Sequence, residues 1–120
     1  MTRVFWLSRH TMTDVQLSDL KRIYGDVEIV QYSGSVRDAA EVLELAGDCE
    51  VLAVVLPPAI LANLVNPRVN TRPVIRAKAN RVATGNTVIN PATGKEEEEF
   101  RFEHAGWEQI KRIIVETVDL

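Results

Sequence analysis

The sequence predicts an α/β domain built on a mostly parallel sheet. Three observations predict it. Short apolar runs of strand length stand at Val4–Leu7, Val27–Tyr32, Val51–Leu56 and Pro73–Lys78. Helix-period segments with their own start and stop residues lie between them. From Asn80 onward the pattern changes to strict alternation around a strong turn. At 120 residues with 46% hydrophobic residues, the chain is read as one domain, 1–120, with enough apolar material for a real core.

Each element follows from its residues. Val4-Phe5-Trp6-Leu7 reads as a short buried strand that stops at the polar run Ser8-Arg9-His10-Thr11. Thr13 with Gln16 three residues on forms a capping box, so a helix runs from Asp14 to Tyr24, with Val15, Leu17, Leu20, Ile23 and Tyr24 on its apolar face. Gly25 stops it. A second strand spans Val27–Tyr32, and Ser35 is expected to cap a helix over Val36–Ala46. Val51–Leu56 is β-branched and continuously apolar, as suits a strand covered on both faces. Pro57-Pro58 breaks it, and Pro58 suits the first turn of a short helix over Ala59–Val65. Pro73–Lys78 is the fourth strand. Right-handed crossovers then give a small Rossmann-like three-layer domain with strand order 2-1-3-4.

The C-terminal third departs from this alternation. Asn90-Pro91-Ala92-Thr93-Gly94 is a turn, and beyond it Phe100, Phe102 and His104 alternate with Glu99, Arg101 and Glu103. Residues 80–104 therefore read as a β-hairpin. Trp107, Ile110, Ile113, Ile114 and Val118 have helical spacing, so a terminal helix is expected from near Gly106, with 113–120 open between helix and strand.

Composition excludes several classes. The net charge of −3 argues against a protein that coats duplex nucleic acid. Glu96–Glu99 carry four of the 17 acids; without them 13 acids face 14 bases, so a local basic site remains open. Cys49 is the only cysteine, so neither an internal disulfide nor a cysteine metal cluster can form, which fits a reducing, cytoplasmic compartment. The first residues hold too short an apolar run for a signal peptide, and Val51–Val65 is broken by prolines and too short to span a bilayer. No P-loop, nucleophile elbow, G-x-G-x-x-G fingerprint or zinc-spaced histidine pair occurs, and no metal or cofactor is expected.

The candidate site is the loop after the first strand, because ligands of open α/β sheets sit at the strands' carboxyl ends. Arg9 can grip a phosphate with two hydrogen bonds, Ser8 and Thr11 can donate to it, and His10 can move a proton. The plain alternative is a surface loop in which Ser8 bonds the backbone and Arg9 meets a neighbouring acid. Ser33-Gly34-Ser35 follows the second strand; Gly34 admits a close ligand approach, or Ser35 simply caps the next helix. Arg76, Lys78 and Arg81 could hold a polyanion, or could protect an edge strand by charge. Glu96–Glu99 read as a solvated strand rather than a metal site, and His104 with Trp107 as a core aromatic pair rather than a base-stacking platform.

A strand ending in Ser8-Arg9-His10, followed by Thr11-Met12-Thr13-Asp14-Val15-Gln16, resembles the opening of small CRISPR-associated proteins of the CARF fold, some of which are stand-alone ring nucleases. Arg72-Pro73-Val74-Ile75-Arg76-Ala77, then Arg81 and an acidic strand with Phe100 and Phe102, is similar in layout to that group's C-terminal half. Small prophage proteins open in a similar way. The resemblance implies a homodimer with a two-fold pocket over the strand ends and a cyclic oligoadenylate ligand. It also implies metal-independent cleavage to a 2′,3′-cyclic phosphate. Carried onto this chain, the catalytic residues would be His10 and Ser8, with Arg9, Thr11, Ser33, Gly34, Ser35, Arg76, Lys78 and Arg81 binding ligand. Pro57-Pro58 stands where the family would carry a Gly-containing loop. Two further readings stay open: a non-catalytic dimerisation module, and an unrelated small α/β enzyme or nucleotide binder.

Overall fold

The structure, a computed structural model, describes residues 1–114 and 117–120. Its order is β1 (Thr2–Leu7), α1 (Asp14–Tyr24), β2 (Val27–Tyr32), α2 (Ala39–Ala46), β3 (Val51–Val54), α3 (Pro58–Leu64), β4 (Val74–Ile89) and β5 (Glu96–Gln109). The five strands form one sheet in the order β2-β1-β3-β4-β5, so the expected 2-1-3-4 series gains a fifth strand. β1 pairs in parallel with β2 and with β3, and β3 with β4, whereas β5 returns antiparallel to β4.

Two cores flank the sheet. On one face Phe5, Leu7, Leu52, Val54 and Val74 pack with Val42 and Ala46 of α2 and Leu61 and Leu64 of α3. On the other, Val4, Trp6, Val51, Ala53 and Ile75 pack with Leu20 of α1 and with Trp107. Val4–Leu7 of β1 and the whole of β3 feed both cores by alternation, which is why these side chains are apolar without a break. The α1 capping box forms as read: Thr13 Oγ1 accepts from the Gln16 amide at 3.1 Å, and Gln16 Oε1 accepts from the Thr13 amide at 2.9 Å.

Three boundaries are corrected. α2 starts at Ala39 rather than Val36, because Asp38, not Ser35, is its N-cap and accepts from the Glu41 amide at 2.9 Å. β3 ends at Val54, two residues before the expected Leu56. The helix expected from near Gly106 is absent as far as Gln109, since residues 106–109 continue β5. The apolar spacing that mimicked a helix has another origin. Trp107 packs into the α1-side core, while Ile110 and Ile113 pack into the opposite one. The chain thus changes faces at the sheet's end, tied by the Ile110 amide donating to the Val74 carbonyl at 2.8 Å. The Ile113–Ile114–Val115 question falls partly on 115–116, which lie outside the described residues.

The fourth strand and the 80–104 hairpin are one continuous ribbon of β4 and β5. The radius of gyration is 17.4 Å, against roughly 14 Å for a compact chain of this length; the ribbon's outward reach accounts for the excess. Its tip is the expected turn, in which the Gly94 amide donates to the Asn90 carbonyl at 2.7 Å and Gly94 adopts φ +69°. No helix among the described residues is long and apolar enough to cross a membrane.

Candidate functional site

In the order β2-β1-β3-β4, the chain runs from β1 outward to β2 and from β3 the other way to β4, so the crevice opens between the ends of β1 and β3. A cavity of about 200 Å³ lies there, lined by Leu7, Ser8, Arg9, His10 and Val55. The loop that carries these residues is held from inside. Trp6 Nε1 donates to the His10 carbonyl at 2.8 Å. Gln31 Nε2, from β2, lies 3.2 Å from both the Ser8 and the His10 carbonyl oxygens. Ser8 is 8% exposed, and its hydroxyl oxygen accepts from the His10 amide at 3.1 Å. The backbone bond expected of Ser8 is therefore present, and its hydroxyl proton meets no acceptor among the described residues.

Arg9 and His10 behave differently. Both are exposed, and neither the guanidinium nor the imidazole meets a partner side chain among the described residues. Among the described residues, the acid that a plain surface loop would have supplied to Arg9 is not beside it. A fixed cation and an imidazole thus stand on a backbone anchored by Trp6 and Gln31.

The remaining sequence candidates are not gathered here. Thr11 is exposed and does not line the cavity. Ser33, Gly34 and Ser35 follow β2, on the far side of β1 from the crevice, and do not line it either. Gly34 has a local reason: a Cβ there would stand 2.6 Å from the Tyr32 hydroxyl and 2.8 Å from its ring carbon, so the missing side chain makes room for Tyr32. Arg76 is ion-paired with Glu108 across the ribbon. Lys78 stands opposite Gly106. The Arg81 guanidinium lies 3.6 Å over the Phe100 ring. These three cations decorate the ribbon rather than the crevice.

A larger groove, about 720 Å³, lies between α1 and β5 and had no local sequence signal. Its walls include Val15, Ser18, Asp19 and Arg22 of α1 with His104 and Gly106 of β5. His104 Nε2 lies 2.9 Å from Asp19 Oδ2, and Arg22 Nε 2.8 Å from Asp19 Oδ1. The imidazole donating to Asp19, then Arg22, holds that carboxyl below the usual carboxylate range. Trp107 donates from Nε1 to the Gln16 carbonyl at 3.1 Å and meets Trp6 edge-on at 5.8 Å. His104 tilts against Trp107 at 5.9 Å, the aromatic pair foreseen from the sequence. These contacts clasp the ribbon's base to α1, while His104 Nδ1 is buried with no hydrogen-bond partner among the described residues.

The clasp carries a pH prediction. The folded state holds the Asp19 proton less tightly than the unfolded chain does. Its contribution to stability is therefore present above about pH 4, and is lost as pH falls below that range. Asp19→Asn is expected to flatten the acid limb of a plot of urea midpoint against pH and leave the neutral limb parallel to wild type. Equal acid limbs would remove Asp19 from the account.

Cys49 is buried beneath the first core, and burial pushes its thiol upward, so it offers no reactive thiolate. No group of three or more metal-ligating side chains occurs among the described residues. No family model, curated protein or solved structure matches this chain.

Proposed function

We propose that this chain is a Rossmann-like domain that binds a phosphate-bearing ligand in the crevice between β1 and β3, working as a homodimer. Cyclic oligoadenylate is the ligand class that its CARF-like opening implies. One observation carries the reading: Arg9 and His10 stand unpaired on an internally anchored loop at the sheet's switch point. Pre-anchoring matters because a loop that is already ordered loses less entropy on binding. Arg9 supplies a charge-assisted fork to a phosphate, and the Ser8 hydroxyl donates a further hydrogen bond.

Cleavage would be a transesterification within the ligand. A ribose 2′-oxygen attacks the adjacent phosphorus, the bond to the 5′-oxygen breaks, and a 2′,3′-cyclic phosphate forms. The proton lost by the 2′-hydroxyl is matched by one gained at the departing 5′-oxygen, and His10 is the group placed to handle that transfer. Arg9 balances charge developing on the phosphate.

The test is calorimetry with cyclic tetra- and hexa-adenylate. Removing a hydrogen-bonding partner of a charged group costs roughly 1.5–3 kcal/mol, so Arg9→Ala is expected to weaken binding about ten- to a hundredfold. No binding by wild type ends the ligand assignment. Binding untouched by Arg9→Ala moves the site to another loop.

A second reading, a non-catalytic dimerisation module, is favoured by the ribbon: Phe102 is 74% exposed and Phe100 37% on an arm that its own body does not cover.

A further inference from the structure

The arm has two unlike faces. Directly paired residues share a face, so Ala77, Ala79, Arg81 and Ala83 of β4 lie with Trp107, His104, Phe102 and Phe100 of β5. This face leaves the α1-side core at Trp107 and runs out into solvent as Phe102 and Phe100. The opposite face carries Arg76 with Glu108, Lys78 with Gly106, Asn80 with Glu103 and Val82 with Arg101. Two irregularities shape the arm. Ala105 is an extra residue in β5, beside Gly106 at φ +116°, and Thr84–Asn86 bulge from β4, with Gly85 at φ +85°.

Charge is segregated along the arm as well. The inner part, residues 76–83 and 100–108, holds Arg76, Lys78, Arg81 and Arg101 against Glu103 and Glu108, a balance of +2. The outer part, residues 84–99, holds Lys95 against Glu96–Glu99, a balance of −3. A two-stranded ribbon alone in water is marginal, and the chain's own body leaves Phe102 and Ile89 of this one exposed.

We infer that the arms of two copies pack antiparallel through their Phe100–Phe102 faces, each acidic tip lying along the inner part of the other arm. The occupant is a second copy because the arm is complementary to itself in that direction alone. On the packing face the charges are Arg81 and, nearer the tip, Glu98 and Glu96, so antiparallel packing brings the acids of one tip toward the partner's Arg81 at both ends, whereas parallel packing sets cation on cation and acid on acid. A two-fold contact of this kind is closed and uses one patch twice. With the axis between the Arg81–Phe102 and Ala83–Phe100 rows, the row holding Thr87 and Glu98 falls opposite the partner's Ala79 and the partner's His104. The partner's Arg81, one row nearer the axis, is then within reach of Glu98. The inference rests on the two-copy assembly proposed above and holds with or without a ligand.

The experiment combines mass with cross-linking. Sedimentation velocity of the full chain is expected to give a dimer at micromolar concentration. Phe102→Glu should weaken it roughly thirtyfold or more, as loss of a central aromatic does, and because Phe102 is exposed, circular dichroism should stay that of wild type. Glu98→Arg should weaken the dimer by about tenfold or more by setting like charges together, and adding Arg81→Glu should restore it. Ala79→Cys protein mixed with Thr87→Cys protein should form disulfide-linked heterodimers under an oxidised glutathione buffer, and Thr87→Cys alone should not link to itself. A monomeric wild type overturns the two-copy assembly and this inference together. A wild-type dimer in which Thr87→Cys links to itself, or in which Phe102→Glu has no effect, overturns the arm packing and leaves the assembly standing.

Discussion

Trp6→Ala is expected to cost about 3–5 kcal/mol of stability, the usual range for deleting a buried indole, and to loosen the candidate site in the same step. Trp6 is buried in the α1-side core and meets Trp107 edge-on at 5.8 Å, so its removal leaves a cavity against the ribbon's base. Its Nε1 also holds the His10 carbonyl at 2.8 Å, which leaves Gln31 as the loop's remaining side-chain anchor. Domains of this size have roughly 5–15 kcal/mol in hand, so the variant should fold with a much reduced margin. Urea unfolding followed by circular dichroism measures the loss as a lower midpoint at unchanged slope. Trp6→Phe separates the two roles: it keeps most of the apolar body and removes the hydrogen bond, which is worth about 0.5–1.5 kcal/mol. A Trp6→Ala midpoint within error of wild type would mean that the two aromatic rings do not join the ribbon to the body.

If the chain is the ring nuclease proposed above, His10→Ala is expected to slow cleavage of cyclic tetra-adenylate by roughly 10²–10⁴-fold, the usual contribution of a proton-transfer group, while changing affinity far less than Arg9→Ala does. The separation follows from position. His10 presents at the crevice an imidazole with no partner side chain among the described residues, and its backbone, not its ring, holds the loop. Removing the ring leaves the Trp6 and Gln31 anchors in place, so a folding defect is not expected. Chromatography of products under single-turnover conditions, with affinity measured alongside by calorimetry, reads the two effects apart. Equal rates in wild type and His10→Ala would remove the imidazole from the chemistry. Binding without turnover by wild type would leave a receptor pocket in place of an enzyme.

How far the sequence determined this protein depends on the range of each interaction. Local signals settled the first half. The Thr13–Gln16 capping box, the stop at Gly25, the apolar β1 and β3 and the prolines at 57 and 58 each act within a few residues, and the elements they predict stand where expected or within about three residues of it. The turn at Asn90–Gly94 was equally legible, because its hydrogen bond closes over four residues. The α/β class followed, since strands that are apolar throughout demand cover on both faces.

Tertiary structure decided what local patterns leave degenerate. The spacing of Trp107, Ile110 and Ile113 fits one helical stripe as well as it fits a strand end delivering side chains to two cores, and packing against α1 chose the second. The partner of the β1 loop was set by strand order, which is non-local: β3, rather than β2, stands across the crevice, so Val55 lines it and Ser33–Ser35 do not. Asp19 and His104 meet across 85 positions of sequence, and no periodicity announces such a pair. Arg9 and His10 were legible as residue types at a strand's end. That they meet no partner side chain among the described residues, on a loop held by Trp6 and Gln31, is a property of chain segments brought together from a distance.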